Sequence, residues 1–217
     1  VTVPFLHAQG LNRLKHLALT HGDVQHIGGA ATFIEAVPTS RIVLSPLRFR
    51  SLNYRAVTKL LELFPERMEF MQRGDNNGHW HALHPEESDK FPQADDGCLV
   101  LLGEFHGVRV LLLGDLGRPG QEALMKRATD LHADVVVTGL PEQGEALCDG
   151  LIERIQPKLI IVADSEFPAT KRAKLALLDR LARNQVRVIA TRTTGAVTVF
   201  ITPSGWRAEP MREPPAG

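Results

Sequence analysis

The sequence predicts an α/β protein with mixed sheets, and three observations carry the prediction. In the last third, strand-like apolar runs at 134–138, 159–163 and 186–190 alternate with helical patterns at 145–155 and 170–184, the order of a layered sheet with helices packed on it. Near the middle, the apolar runs 98–105 and 108–113 flank His106-Gly107, a hairpin signal that adds antiparallel pairing. The chain has 217 residues, 43% of them hydrophobic and 23% charged, enough for one large domain with a full core.

Taken in order, residues 3–10 read as a short helix that Gly10 ends, and 14–20 as a strand. Residues 28–37 read as a helix stopped by Pro38, and 41–45 as a strand. A helix over 53–64 is predicted by Val57, Leu60, Leu61 and Phe64 at helical spacing. Strands at 68–71 and 79–83 flank the Gly74-Asp75-Asn76-Asn77-Gly78 turn, and 86–97 is a polar loop before the hairpin. A helix over 121–128 precedes the strand at 134–138. The helix over 145–155 ends before Pro157, and the helix over 170–184 shows Leu175, Leu178 and Leu181 on one face. Residues 186–190 and 196–201 close the set as strands. The stretch from Pro203 to Gly217 is rich in Pro, Glu and Arg and is expected to fray. That places one domain at 1–202 and a flexible tail at 203–217.

Twenty-five basic residues balance 25 acidic ones, so the chain as a whole carries no electrostatic footprint for nucleic acid, although a local basic face stays open. Cys98 and Cys148 sit among apolar residues and read as small buried hydrophobes more than as a disulfide. No apolar run approaches the roughly 20 residues of a membrane helix. The first residues, Val1-Thr2-Val3-Pro4, carry no signal-peptide pattern and no initiating Met; the chain reads as a fragment of a longer protein.

The densest chemistry is Thr20-His21-Gly22-Asp23-Val24-Gln25-His26-Ile27-Gly28-Gly29, directly after the first strand. Two imidazoles and a carboxylate lie within six residues there, and these are ligand types that suit Zn or Mn. A second carboxylate, Asp115, ends the strand Leu111-Leu112-Leu113-Gly114. His21, Asp23, His26 and Asp115 are therefore the candidate metal ligands, with Asp23 and Asp115 as the catalytic carboxylates. The plainer reading is scaffold: Asp23 caps the following helix, the histidines bond backbone groups, and Gly114-Asp115 is ordinary strand-to-helix chemistry.

Residues 17–29 resemble the metal-binding loop of metallo-β-lactamase-fold hydrolases. More narrowly they resemble its form in ComEC-type competence (DNA-uptake) proteins, which reads T-H-x-D-x-D-H-I-G-G. Other landmarks follow in the same order: Trp80 and Leu83-His84-Pro85, the 99–115 hairpin ending in Gly114-Asp115, the strand 133–137, and Thr191 to Val197. The resemblance implies an αβ/βα sandwich of two mixed sheets, N-terminally truncated here because the family's opening hairpins are missing. It implies a soluble domain, on the outer or periplasmic side, of a parent protein in the inner membrane. It further implies the channel portion of that parent and single- or double-stranded DNA as partners, and a metal-dependent phosphodiesterase or nuclease activity.

The chain departs from the pattern at four places. Gln25 replaces the loop's second Asp, and a neutral amide is a poor ligand for a dication. Asp95-Asp96-Gly97-Cys98 stands for N-N-x-S, Gly139-Leu140-Pro141-Glu142-Gln143 for G-H-H-G-S, and Glu166-Phe167-Pro168-Ala169 for G-H-P-H. Two ligand-bearing segments have thus lost their imidazoles, which implies one Zn or Mn ion, or none, rather than two. The alternative function is a degenerate, non-catalytic accessory domain that binds DNA or a partner on the same channel. A third is a small-molecule hydrolase with extra carboxylates from Asp95, Asp96 or Glu142.

Further residues have two readings each. His79 and His81 share a strand face and could bind metal, but read better as surface histidines. Asp95 and Asp96 could replace a lost ligand, but read more readily as a solvated pair. Glu142 is a better substitute than Glu145, since it follows the strand ending at Thr138. Lys171, Lys174 and Arg180 could line a phosphate path, although a solvated helix face is preferred. Ser165, between Asp164 and Glu166, has no identifiable base.

Overall fold

The computed structural model describes residues 2–212. The first part runs α1 (Thr2–Ala8), β1 (Leu14–Leu19), α2 (Val24–Ile27), α3 (Ala30–Ala36), β2 (Thr39–Leu44), α4 (Leu52–Leu61) and β3 (Met68–Phe70). Next come β4 (Asn76–Asn77), β5 (Trp80–His84), β6 (Val100–Phe105), β7 (Val108–Gly114) and α5 (Arg118–Arg127). The chain ends with β8 (Val135–Thr138), α6 (Asp149–Ile155), β9 (Leu159–Val162), α7 (Leu175–Ala182), β10 (Arg187–Ala190), α8 (Thr191–Thr194), β11 (Val197–Thr202) and β12 (Gly205–Pro210).

The large sheet is ordered β10-β9-β8-β7-β6-β5-β4. Its pairs from β10 to β7 are parallel and those from β7 to β4 antiparallel. β7 is therefore the strand at which the pairing changes. A parallel sheet β1-β2-β3 and the hairpin β11-β12 complete the strands.

Strand alternation sorts these pieces into layers, because successive side chains point to opposite faces. Leu111, Leu113, Val136, Ile160 and Val162 pack with Leu124, Leu151, Ile155 and Leu181 of α5, α6 and α7. The other face of the large sheet splits into two clusters. Leu99, Leu101 and Ala82 meet Val43 of the small sheet and Met71. Val135, Leu159, Ile161 and Ile189 meet Ala208 and Trp206 of the hairpin. The outer side of the small sheet buries Ile42 and Leu44 against Ile27, Ile34, Val57 and Leu61 of its helices. The result is a mixed α/β protein with several sheets, helices outside and sheets inside, which is compatible with an αβ/βα sandwich. No helix among the described residues is long and apolar enough to cross a membrane.

The structure corrects several expectations. The tail from Pro203 does not fray throughout: residues 205–210 pair with β11 in register, and Ala208 is buried. Residues 213–217 of that predicted tail lie outside the described residues. The helix expected over 28–37 begins earlier and is split, with α2 and α3 meeting at Gly28-Gly29. The helix expected over 145–155 starts only at Asp149. Gln121 is the reason, since its amide donates to Glu145 O at 2.8 Å and accepts from Cys148 N at 2.8 Å, so tertiary bonds satisfy groups that a helix would have used. The helix expected over 170–184 becomes a short 3₁₀ turn at Ala169–Lys171 followed by α7. The polar loop 86–97 closes on a buried turn, Asp95–Gly97, because buried His84 donates from Nε2 to Asp96 O at 2.7 Å.

Candidate metal centre

The candidate site lies where the ends of β1 and β7 come together. Leu99 N donates to Thr20 O at 2.8 Å, which ties the small sheet to the large one one residue before His21. Gly139 N donates to Gly114 O at 2.7 Å, which fixes the backbone just before Asp115. Gly139 is required there, since a Cβ would fall 1.8 Å from Asp115 Oδ1.

Each candidate ligand has a local reason for its aim. His21 is buried, with Thr20 Oγ1 3.0 Å and Cys98 Sγ 3.5 Å from its Nδ1, which leaves Nε2 for the site. Fixing one ring nitrogen in this way is how proteins orient a ligating imidazole. Asp23 is the N-cap of α2; its Oδ1 accepts from Gln25 N at 3.2 Å, and its Oδ2 faces inward. The capping role read from the sequence is therefore present, and it serves α2. His26 stands in the last turn of α2, and its Nε2 is 2.9 Å from Asp115 Oδ2. One ligand atom from each of His21, Asp23, His26 and Asp115 lies within 4.8 Å of all the others. The structure thus brings together the four residues singled out in the sequence.

A fifth residue joins them. Lys171 is buried, and its ammonium donates to Asp115 Oδ2 at 2.6 Å and to Leu140 O at 2.8 Å. It also lies 3.6 Å from Asp23 Oδ2. The solvated helix face expected for Lys171 is wrong: the 3₁₀ turn carries it inward, toward two carboxylates. Its sequence signal was a cation two residues after the segment that lost its histidines. Arg180 pairs instead with Asp149, and Lys174 is exposed.

Charge follows from these contacts. Burial, then neighbouring His26, lowers His21 to about 4, so it is a neutral imidazole with an available lone pair. Burial opposes charge on His26, yet the bond to Asp115 raises its pKa above the usual histidine value. Burial alone would raise Asp115, but His26 and Lys171 hold it below the ordinary carboxylate value. Burial likewise opposes charge on Lys171, and Asp115 outweighs it, so the ammonium is retained.

The plainer reading of Asp95 and Asp96 as a solvated pair is also overturned, since both are buried. Asp95 Oδ1 lies 3.5 Å from His21 Nε2, and burial raises its pKa to about 6. Asp95 Oδ2 accepts from Glu142 N at 2.7 Å, so Glu142 contributes backbone to the site while its side chain is exposed. Asp96 sits against Gly117 and Gly120 at the start of α5. His79 and His81 are exposed and outside the cluster. Ser165 Oγ donates to Phe167 O at 3.0 Å, a local turn contact.

Two polar atoms of the cluster, His21 Nε2 and Asp23 Oδ2, are buried without a hydrogen-bond partner. A buried unpaired polar group costs about 1–3 kcal/mol, and such groups call for a ligand or other cause. Imidazole and carboxylate donors held this way fit one Zn or Mn ion.

No family model matches the chain. The chain is similar to ComE operon protein 3 of Bacillus subtilis, 29% identical over 204 residues that take in 91% of this chain and 26% of that protein. It is also similar to Recombination protein 2 of Haemophilus influenzae, 24% identical over 202 residues covering 91% of this chain and 23% of that protein. Competence protein ComA of Neisseria gonorrhoeae is 24% identical over 212 residues, 97% of this chain and 28% of that protein. The chain spans about a quarter of the length of the curated relatives it matches.

Proposed function

We propose that this chain is a metallo-β-lactamase-like domain of a DNA-uptake protein, and that it hydrolyses phosphodiester bonds of incoming DNA with a single divalent ion. The observation that carries the reading is the convergence of His21, Asp23, His26 and Asp115, with the buried atoms His21 Nε2 and Asp23 Oδ2 left without a hydrogen-bond partner. The competence name of one relative and the com-operon name of another favour uptake as the setting. The parent would sit in the inner membrane with this domain on its outer face.

His21, Asp23, His26 and Asp115 would hold the ion. Bound there, Zn or Mn supplies a Lewis acid and a water acidic enough to give hydroxide near neutral pH. Neutral His21 offers its lone pair without first losing a proton. Ionised Asp115 keeps a negative charge at the centre of the cluster, and Lys171 offsets it. Beside the His21 loop, Phe49 packs on Gly22 and lines a cleft of about 890 Å³ together with Arg48, Arg50, Tyr54 and Arg55. None of these arginines pairs with a carboxylate among the described residues. Glu62, Asp75 and Glu87 line the same cleft, so the support for a nucleic-acid strand rests on the arginines as phosphate partners and on Phe49 and Tyr54 as stacking surfaces.

Metal content per chain tests the reading, measured after loading with Zn or Mn on the wild type and on His21→Ala/Asp115→Ala. One ion per chain, lost in the double variant, with DNA cleavage following the ion, is expected. A wild type without metal would refute hydrolysis. It would favour the second reading, a non-catalytic DNA- or partner-binding domain, for which the Lys171 ammonium inside the acidic cluster is the supporting observation.

A further inference from the structure

Lys171 is held like a ligand-bound ion more than like a surface lysine. Its ammonium meets three oxygens from three separate segments: Asp115 Oδ2 at 2.6 Å, Leu140 O at 2.8 Å and Asp23 Oδ2 at 3.6 Å. Its backbone is pinned on both sides, since Lys171 N donates to Pro168 O and Lys171 O accepts from Ser165 N, both at 2.9 Å. The side chain is only 10% exposed, so bulk water does not screen its charge.

We propose that Lys171 is the resident cation of this centre: its ammonium fills the second cation position beside Asp115, limits the chain to one divalent ion and sets how tightly that ion binds. The inference rests on the one-ion reading of the same cluster. The charge balance supports it. Asp115 Oδ2 faces both the Lys171 ammonium and His26 Nε2, so its negative charge is already offset before any metal arrives. A further dication beside Asp115 would face the ammonium at close range in a poorly hydrated site, where like charges repel most strongly. His21 Nε2 and Asp23 Oδ2 are buried without a hydrogen-bond partner, and the lysine approaches Asp23 Oδ2 only to 3.6 Å, so both atoms stay available to a divalent ion. The segments 139–143 and 166–169 carry no imidazole, and Lys171, two residues after the second, brings a positive charge to the cluster instead of a ligand.

Titration of the full chain with MnCl2 and with ZnCl2 tests this, with bound metal per chain and affinity measured on wild type, Lys171→Gln, Lys171→Met and Lys171→Arg. The neutral variants should bind a divalent ion at least tenfold more tightly than wild type, or take up a second one. The arginine variant, which keeps the charge, should not gain. Folded neutral variants whose affinity stays within threefold of wild type, or falls, would overturn the proposal and leave Lys171 a structural ion-pair partner. If neither neutral variant folds, wild-type stoichiometry decides: two ions per chain, or none, overturns the proposal, and one supports it. The two readings fail separately. A wild type without metal beside a Lys171→Gln chain that binds it sinks single-ion hydrolysis and sustains the lysine's role. One ion in both chains at equal affinity does the reverse, and no ion in any variant overturns both.

Discussion

Replacing Asp115 by Asn removes one negative charge while keeping nearly the same shape, so it isolates the charge itself. Asp115 is 2% exposed, and its Oδ2 receives both Lys171 Nζ and His26 Nε2. Removing one partner of a buried ion pair costs about 3–5 kcal/mol, because the other charge is left without compensation. Lys171 retains Leu140 O at 2.8 Å and Asp23 Oδ2 at 3.6 Å, which argues for the lower end, about 3 kcal/mol. In a chain of this size about 1 kcal/mol moves Tm by roughly 2–4 °C, so a loss of about 6–12 °C is expected. The assay is urea unfolding followed by circular dichroism, with chelator present so that metal binding does not add to the folded state. The double variant Asp115→Asn/Lys171→Met leaves no orphaned ammonium and should recover at least about 1 kcal/mol relative to additivity. Burial opposes charge on Asp115, but His26 and Lys171 hold its folded pKa below the ordinary carboxylate value. Its contribution is therefore present above about pH 4 and lost as pH falls through the folded value, so the gap between wild type and Asp115→Asn should close toward pH 3. A coupling energy under about 0.5 kcal/mol would show that the pair is screened, and the assignment of Lys171 to the interior of the cluster would be refuted.

Three further outcomes follow from the same packing. Gly114→Ala combines a left-handed φ of +56° with a Cβ 2.5 Å from Cys98 Sγ, and should cost about 2–5 kcal/mol in chemical unfolding. Gly107→Ala has a φ of +77° but open space around its Cβ and should cost only about 1–2 kcal/mol; equal losses at the two positions would contradict the close approach to Cys98. Burial lowers the pKa of His84. Its contribution is therefore present above its unfolded value near 6.5 and lost as pH falls toward the folded value, so wild type should lose stability between about pH 7 and pH 5. His84→Gln should flatten that slope, and an unchanged slope would assign the acid sensitivity elsewhere. Burial pushes the Cys98 thiol up to about 12, so a thiol reagent should label it only on unfolding; fast labelling of the native chain would contradict its burial.

The large sheet was legible because its signals are local. Apolar runs such as 108–113 and 159–163 appear as β7 and β9 within a residue or two. The hairpin at His106-Gly107 declares itself through its turn. Hairpin β11-β12 was half missed, although Trp206 and Ala208 alternate with Arg207 and Glu209 in a readable strand pattern. Proline and charge around it outweighed that alternation. The buried turn at Asp95–Gly97 could not be read, because nothing in Asp95-Asp96 announces that His84 will bond the backbone of Asp96.

Of the candidate site, the sequence by itself singled out the four residues that cluster: His21, Asp23, His26 and Asp115 stand at the ends of two apolar strands, and strand ends are where loops gather. Tertiary structure alone decided that His26 and Asp115, 89 residues apart, would meet at 2.9 Å. It also decided that Lys171, 56 residues beyond Asp115, would enter the same carboxylate shell. A lysine's place is set by where its backbone is anchored and by the charges within reach of its flexible stem. Both are products of long-range packing, which local spacing does not encode.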